Sequence, residues 1–250
     1  GHWRSGTTHL YNVLSRSPAF GWVPPFAAGL PWDFLGVVGP IRTVLESHLP
    51  SDRLIDNIPV TPDSPQEDEL PLALMTGVSY YHGLFFPSRF EEHFNRGIFF
   101  DGCTEDEVAE WRAAFGYFLA KVSLIRPGLP LLLKNPVHSA RIPLLRAMWP
   151  EAKFIHIHRN PFVVYPSTRR TFATLLNSFA LQDTSRVDLD RIVLDLYPRL
   201  MDRLLADASA LPETQYAEIR FEDFERQPIA ELERVYRTLG LPGWPDAERH

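Results

Sequence analysis

A glycine at position 1, a second at position 6 and Thr7-Thr8 directly after it constrain this chain more than any other stretch. Two glycines at that spacing let a backbone curl so that several N–H groups face one anion, and a helix starting at Thr7 would aim its positive end at the same point. Such a loop normally joins a buried strand to a helix, so the spacing predicts an α/β fold built on a parallel sheet. A nucleoside-triphosphate loop would carry Lys before its final Ser or Thr. Thr7 stands there instead, and the cation nearest to hand is Arg4, inside the loop. Because the chain opens on the loop itself, the expectation is a fragment that lacks the preceding strand.

The rest of the chain alternates short apolar runs with helical stretches. Phe20–Val23, Leu129–Leu133, Ala152–His158 and Gln215–Phe221 read as buried strands. Helices are expected over Thr7–Arg16, Pro40–His48, Thr104–Arg126, Ser139–Met148, Phe162–Asn177, Asp190–Leu205 and Ile229–Leu239, the last closed by Gly240. Ser64-Pro65-Gln66-Glu67 and Thr104-Glu105-Asp106-Glu107 both have the form of a capping box, so a further helix is expected to start at Ser64. The pattern predicts one domain, a central parallel sheet flanked by helices, with the aromatic, proline-rich Pro24–Pro59 as an insertion over its mouth. In such sheets ligands lie beyond the carboxyl ends of the strands, where Lys134 and Arg159 fall.

Composition narrows the partners. A net charge of −6 argues against nucleic acid, so a polyanionic ligand needs cations gathered locally. Cys103 is the only cysteine, which excludes an intrachain disulfide and a zinc site of several thiolates, and the chain reads as cytoplasmic. Leu70–Ser88 has no formal charge, but two prolines, two glycines, His82 and two tyrosines make it a poor membrane span.

A second motif gives the loop its meaning. Phe154-Ile-His-Ile-His-Arg159-Asn-Pro161 continues to Ser167, eight residues past the arginine. Together with Arg4-Ser5-Gly6-Thr7-Thr8, Leu-Leu-Leu-Lys134-Asn-Pro136 and Ile219-Arg-Phe-Glu-Asp-Phe224, this order and spacing resembles the sulfotransferases that use 3′-phosphoadenosine 5′-phosphosulfate. Pro65-Gln-Glu-Asp-Glu69 and His138-Ser-Ala-Arg-Ile142 resemble the bacterial-type branch. The resemblance implies a P-loop-like three-layer sandwich in which Arg4, Ser5, Gly6, Thr7 and Thr8 hold the 5′-phosphosulfate and Arg159 and Ser167 hold the 3′-phosphate. It places Lys134 at the bridging or sulfuryl oxygens. It implies in-line transfer without a metal to a hydroxyl, or less readily an amine, of a small-molecule, lipid-like or carbohydrate acceptor.

The proton acceptor is where the chain departs from better-known relatives. Some carry a catalytic Glu after the second strand, where this chain has Trp22-Val-Pro-Pro-Phe26; others place His two residues after the lysine, where this chain has Pro136. The remaining candidates for general base are Glu67, Asp68, Glu69 and His138. Each has a plainer role available: Glu67 as a capping residue, Asp68 and Glu69 as complements to a helix dipole, His138 as a helix-entry residue, and Arg169-Arg170 as a solvated face. Tyr80, Tyr81, Phe85, Phe86 and Trp32 are individually core residues and collectively suggest an apolar acceptor cleft. A P-loop kinase or nucleotide hydrolase, and a nucleotide-binding module without catalysis, remain as competing readings.

Overall fold

The computed structural model describes residues 1–47 and 61–248, so His48 and most of the second half of the Pro24–Pro59 insertion lie outside the described residues. The chain divides into two compact units, each drawn from separate stretches of sequence. Gly1–Ala19, Pro136–Arg170 and Asp188–His250 form one; Phe20–Asn135 and Thr171–Val187 form the other.

The first unit holds a two-stranded parallel sheet, β1 (Phe154–His158) beside β2 (Tyr216–Arg220). Register pairs Ile157 with Ile219 and His158 with Arg220. Ile157, Ala217 and Ile219 are almost wholly buried, as β-branched and small residues in a covered strand should be. The helix Leu189–Ala208 buries Ile192, Val193, Leu196, Leu200 and Leu204, a stripe at helical spacing, and continues through Pro198. The helix Pro228–Leu239 buries Leu232, Val235, Tyr236 and Leu239, and Gly240 ends it at φ +57°. Burying each such side chain stabilises the unit by roughly 1.5–3 kcal/mol before entropy is subtracted.

The second unit is built on the helix Glu105–Ser123. Both halves of its predicted capping box form: the Thr104 hydroxyl accepts from the Glu107 N–H at 3.2 Å, and the Glu107 carboxylate accepts from the Thr104 N–H at 2.8 Å. Trp111, Phe115, Phe118, Leu119 and Val122 line its buried face. Phe90 stacks on Phe94, whose edge meets Phe172, and Phe34 packs against Phe118. The helix expected over Pro40–His48 runs from Phe34 to Ser47.

Two expectations fail here. The runs Phe20–Val23 and Leu129–Leu133 do not extend into a ladder; they meet at a single parallel bridge between Gly21 and Leu131. Gly21 donates its N–H to the Pro130 carbonyl and accepts from the Leu132 N–H. Pro24, Pro25 and Pro130 have no N–H to give, and the Val23 carbonyl is taken by the Gln66 N–H at 2.8 Å, so pairing stops after one step. The helix predicted from Ser64 starts instead at Glu69, with Asp68 at its N-cap. Ser64 spends its hydroxyl on the Thr61 N–H at 2.8 Å, a local turn contact that competes with capping.

Candidate active site

In the first unit the loop predicted to cradle an anion is fastened on three sides. The Ser5 hydroxyl lies 2.7 Å from the His2 carbonyl and 2.9 Å from the Ile157 carbonyl of β1, which pins the loop to the strand. The Trp3 carbonyl accepts from the Thr168 hydroxyl at 3.3 Å, and Arg4 Nε donates to Ser167 Oγ at 3.0 Å. Thr168 and Ser167 sit on the helix Pro161–Phe179. Two residues within three positions are left-handed, Arg4 at φ +66° and Gly6 at φ +98°. A side chain at Gly6 would be strained by that φ and would overlap the Phe221 ring. For Arg4 the same conformation costs about 1–3 kcal/mol, the kind of local strain that sites concentrate.

The helix Thr7–Leu14 follows at once, with Gly6 at its N-cap, no side-chain cap and no acidic residue in its first turn. Its leading N–H groups and dipole therefore favour a negative charge. Ser5 is buried and its hydroxyl is bonded to two carbonyls, so its side chain holds the loop's shape. Arg4 meets Ser167 directly, which brings together two residues assigned to opposite ends of one nucleotide.

Arg159 and Phe221 are the residues just past the paired strand ends His158 and Arg220, and the Arg159 guanidinium lies over the Phe221 ring, 4.2 Å from its centroid. Beside them the Asn160 N–H donates to Glu222 Oε1 at 3.0 Å, while the Asn160 side chain accepts from the Phe162 N–H at 3.0 Å and caps the helix that carries Ser167. That backbone hydrogen bond, with Arg220 and Arg159 nearby, holds the Glu222 carboxyl below the usual range. Sequence reasoning placed Phe221 and Glu222 in the Ile219–Phe224 motif but gave neither a role. The available signal was an aromatic and an acid immediately after a strand, meaningful only once β2 is known to neighbour β1.

The second unit contains Lys134, Glu67, Asp68 and Glu69. Lys134 forms an ion pair with Glu67, their side chains 10% and 17% exposed. Glu67 lies before the helix, which starts at Glu69, and outside any capping box. The next residues pair in step: the Asn135 amide donates to Asp68 Oδ1 at 2.9 Å and Glu69 Oε2 at 2.7 Å, and the Ser79 hydroxyl donates to Glu69 Oε1 at 2.7 Å. Asp68 and Glu69 have no exposed surface. Of the three acids, Glu67 alone keeps solvent access.

His138 is half-buried in the 3₁₀ turn Pro136–Ala140 of the first unit, its carbonyl accepting from the Arg141 N–H. Arg141 is 1% exposed. Arg169 is half-exposed and pairs with Asp190 at 2.6 Å, in keeping with a solvated face. Among the aromatics, Tyr80 is core, packed on Tyr81 and Phe94, Phe85 meets Phe179, and Phe86 and Trp32 are exposed. Among the described residues no group of three or more His, Cys, Asp or Glu side chains could hold a metal ion, and no helix is long and apolar enough to cross a membrane.

Comparison with known proteins gives one answer throughout. The chain is 32% identical over 244 residues to omega-hydroxy-beta-dihydromenaquinone-9 sulfotransferase Stf3 of Mycobacterium bovis, and equally to that of Mycobacterium tuberculosis. The match takes in 96% of this chain and 61% of those relatives, so the chain spans under two thirds of their length. Crystal structures of sulfotransferase STF9 from Mycobacterium avium and STF1 from Mycobacterium tuberculosis superpose with TM-scores of 0.75 and 0.69 at 18% identity. They cover 100% and 99% of this chain, and 64% and 68% of theirs, which fixes the fold as the α/β sulfotransferase fold. The model of the sulfotransferase family matches residues 1–246, and the chain belongs to that family.

Proposed function

We propose that this chain transfers a sulfuryl group from 3′-phosphoadenosine 5′-phosphosulfate to a hydroxyl of a lipid-like small molecule. The observation that carries the reading is the pairing, within one unit, of a strained glycine loop that feeds an uncapped helix N-terminus with an arginine stacked just past the neighbouring strand end. Such a donor has two anionic ends, and this set of residues suits it. The Gly6–Thr8 backbone and Arg4 receive the phosphosulfate, while Arg159 and Ser167 receive the 3′-phosphate. The donor supplies a good leaving group, and the loop's cation and N–H groups stabilise the charge that gathers on it.

The resemblance, rather than the geometry, assigns Lys134 to the sulfuryl oxygens. Its ion pair with Glu67 supports Glu67 as the general base, since a lysine that turns toward a new anion leaves that carboxylate free to accept the acceptor's proton. Asp68 and Glu69 serve instead as the buried frame that fixes Asn135 beside it. His138 is the competing base. The lipid-like acceptor follows from the similar mycobacterial enzymes, whose name gives a hydroxylated menaquinone.

Titration calorimetry with 3′-phosphoadenosine 5′-phosphate, and separately with ATP and Mg²⁺, tests the donor. The first should bind tighter, and Arg159→Ala should weaken it by about 10- to 100-fold, a lost charge-assisted contact of 1.4–2.8 kcal/mol. Preference for ATP with no effect of Arg159→Ala would overturn the assignment. With labelled donor, Glu67→Gln should abolish transfer while product nucleotide still binds; if His138→Gln alone does so, the base is His138.

A further inference from the structure

We infer that Phe221 is the positioning residue for donor recognition: one ring face sets the Arg159 guanidinium while the ring edge sets the loop at Gly6. This rests on the nucleotide reading above and adds to it a residue that the reading does not need.

The geometry follows from register. β1 and β2 pair His158 with Arg220, so the next residues, Arg159 and Phe221, leave the sheet side by side. A guanidinium in solution samples many rotamers, and a long side chain loses affinity to the entropy of ordering it. Over the Phe221 ring, at 4.2 Å from the centroid, it is held in position before any phosphate arrives. Phe221 is 8% exposed, and its Cδ2 and Cε2 atoms fill the space that a Gly6 side chain would need. A shift of this ring therefore moves two things together, the turn that opens the helix Thr7–Leu14 and the arginine past β1. Glu222 secures the neighbouring backbone through the Asn160 N–H, so the ring acts on the side chain of Arg159 rather than on the path of the chain.

The experiment compares 3′-phosphoadenosine 5′-phosphate with adenosine 5′-phosphate, which lacks the 3′-phosphate, on wild type, Phe221→Leu and Phe221→Tyr. Wild type should prefer the bisphosphate. Phe221→Leu keeps an apolar side chain but no ring face, and should cut that preference about tenfold. Phe221→Tyr should restore it. In an Arg159→Ala background, Phe221→Leu should change the preference no further. A merely structural role would weaken both ligands alike, and an unchanged preference in Phe221→Leu, or equal loss of both ligands, overturns the inference. Wild type with no preference overturns the nucleotide reading and this role with it. Should Phe221→Leu not fold, the wild-type NMR spectrum decides: the Arg159 Nε–H proton, assigned with Arg159→Lys, should be shifted upfield by the ring current, and an ordinary shift refutes the stacking.

Discussion

At the scale of single residues, spacing in the sequence singled out Arg4, Arg159 and Ser167, and the structure sets Arg4 against Ser167 and Arg159 over the Phe221 ring. Spacing did not distinguish a residue that offers its side chain to a ligand from one that spends it on the loop. Ser5 is of the second kind, its hydroxyl held between two carbonyls. Gly6 combines both constraints, a left-handed φ and a neighbouring ring. Gly6→Ala should therefore cost roughly 1–3 kcal/mol in strain and displaced packing, more than the replacement of an ordinary glycine. Urea unfolding would show the loss, and calorimetry should show weakened binding of adenosine 5′-phosphate. Wild-type stability in that variant would mean the loop tolerates a Cβ and that φ is not what selects glycine.

At the scale of elements, two sequence segments with the same capping-box form met different fates. Thr104 caps its helix with both reciprocal bonds; Ser64 turns its hydroxyl to Thr61 while the Gln66 N–H goes to the Val23 carbonyl. Local sequence records the capacity to cap, and a tertiary acceptor decided against using it at Ser64. Thr104→Ala should destabilise the second unit by about 1 kcal/mol. Ser64→Ala, losing an exposed turn bond, should stay within about 0.5 kcal/mol. Equal losses in the two variants, read from urea midpoints at constant m-value, would contradict this difference. The consequence reaches Glu67, which stays outside the helix and pairs with Lys134. The strands β1 and β2 and the stop at Gly240 were legible because their apolar positions and a glycine at φ +57° suit those conformations locally.

At the scale of the whole molecule, each compact unit is assembled from separated stretches, so no linker in the sequence could mark the division. The first unit buries two histidines, and this makes its stability depend on pH in a definite direction. His2 donates Nδ1–H to the Trp3 carbonyl and packs on Tyr197, and burial pushes its imidazole down to about 4. His156 on β1 lies 3.1 Å from the Tyr216 hydroxyl, with Glu218 and His158 alongside, and burial pushes it down to about 3. The Glu218 carboxylate would favour a charged ring, but desolvation is the larger effect. Both folded values lie below the unfolded imidazole value of about 6.5, so the unfolded chain binds more protons. The stability of neutral burial is whole above about pH 6.5 and is lost progressively as pH falls toward the folded values. Between pH 7.5 and 5 each histidine should remove about 2 kcal/mol, most of it below pH 6.5, in a window where ordinary carboxylates are still ionised. Urea midpoints at pH 7.5 and 5 measure the total, and His156→Gln should remove close to half of the difference. A midpoint that does not move over that range would mean the two rings are charged, or exposed to water, in the folded protein.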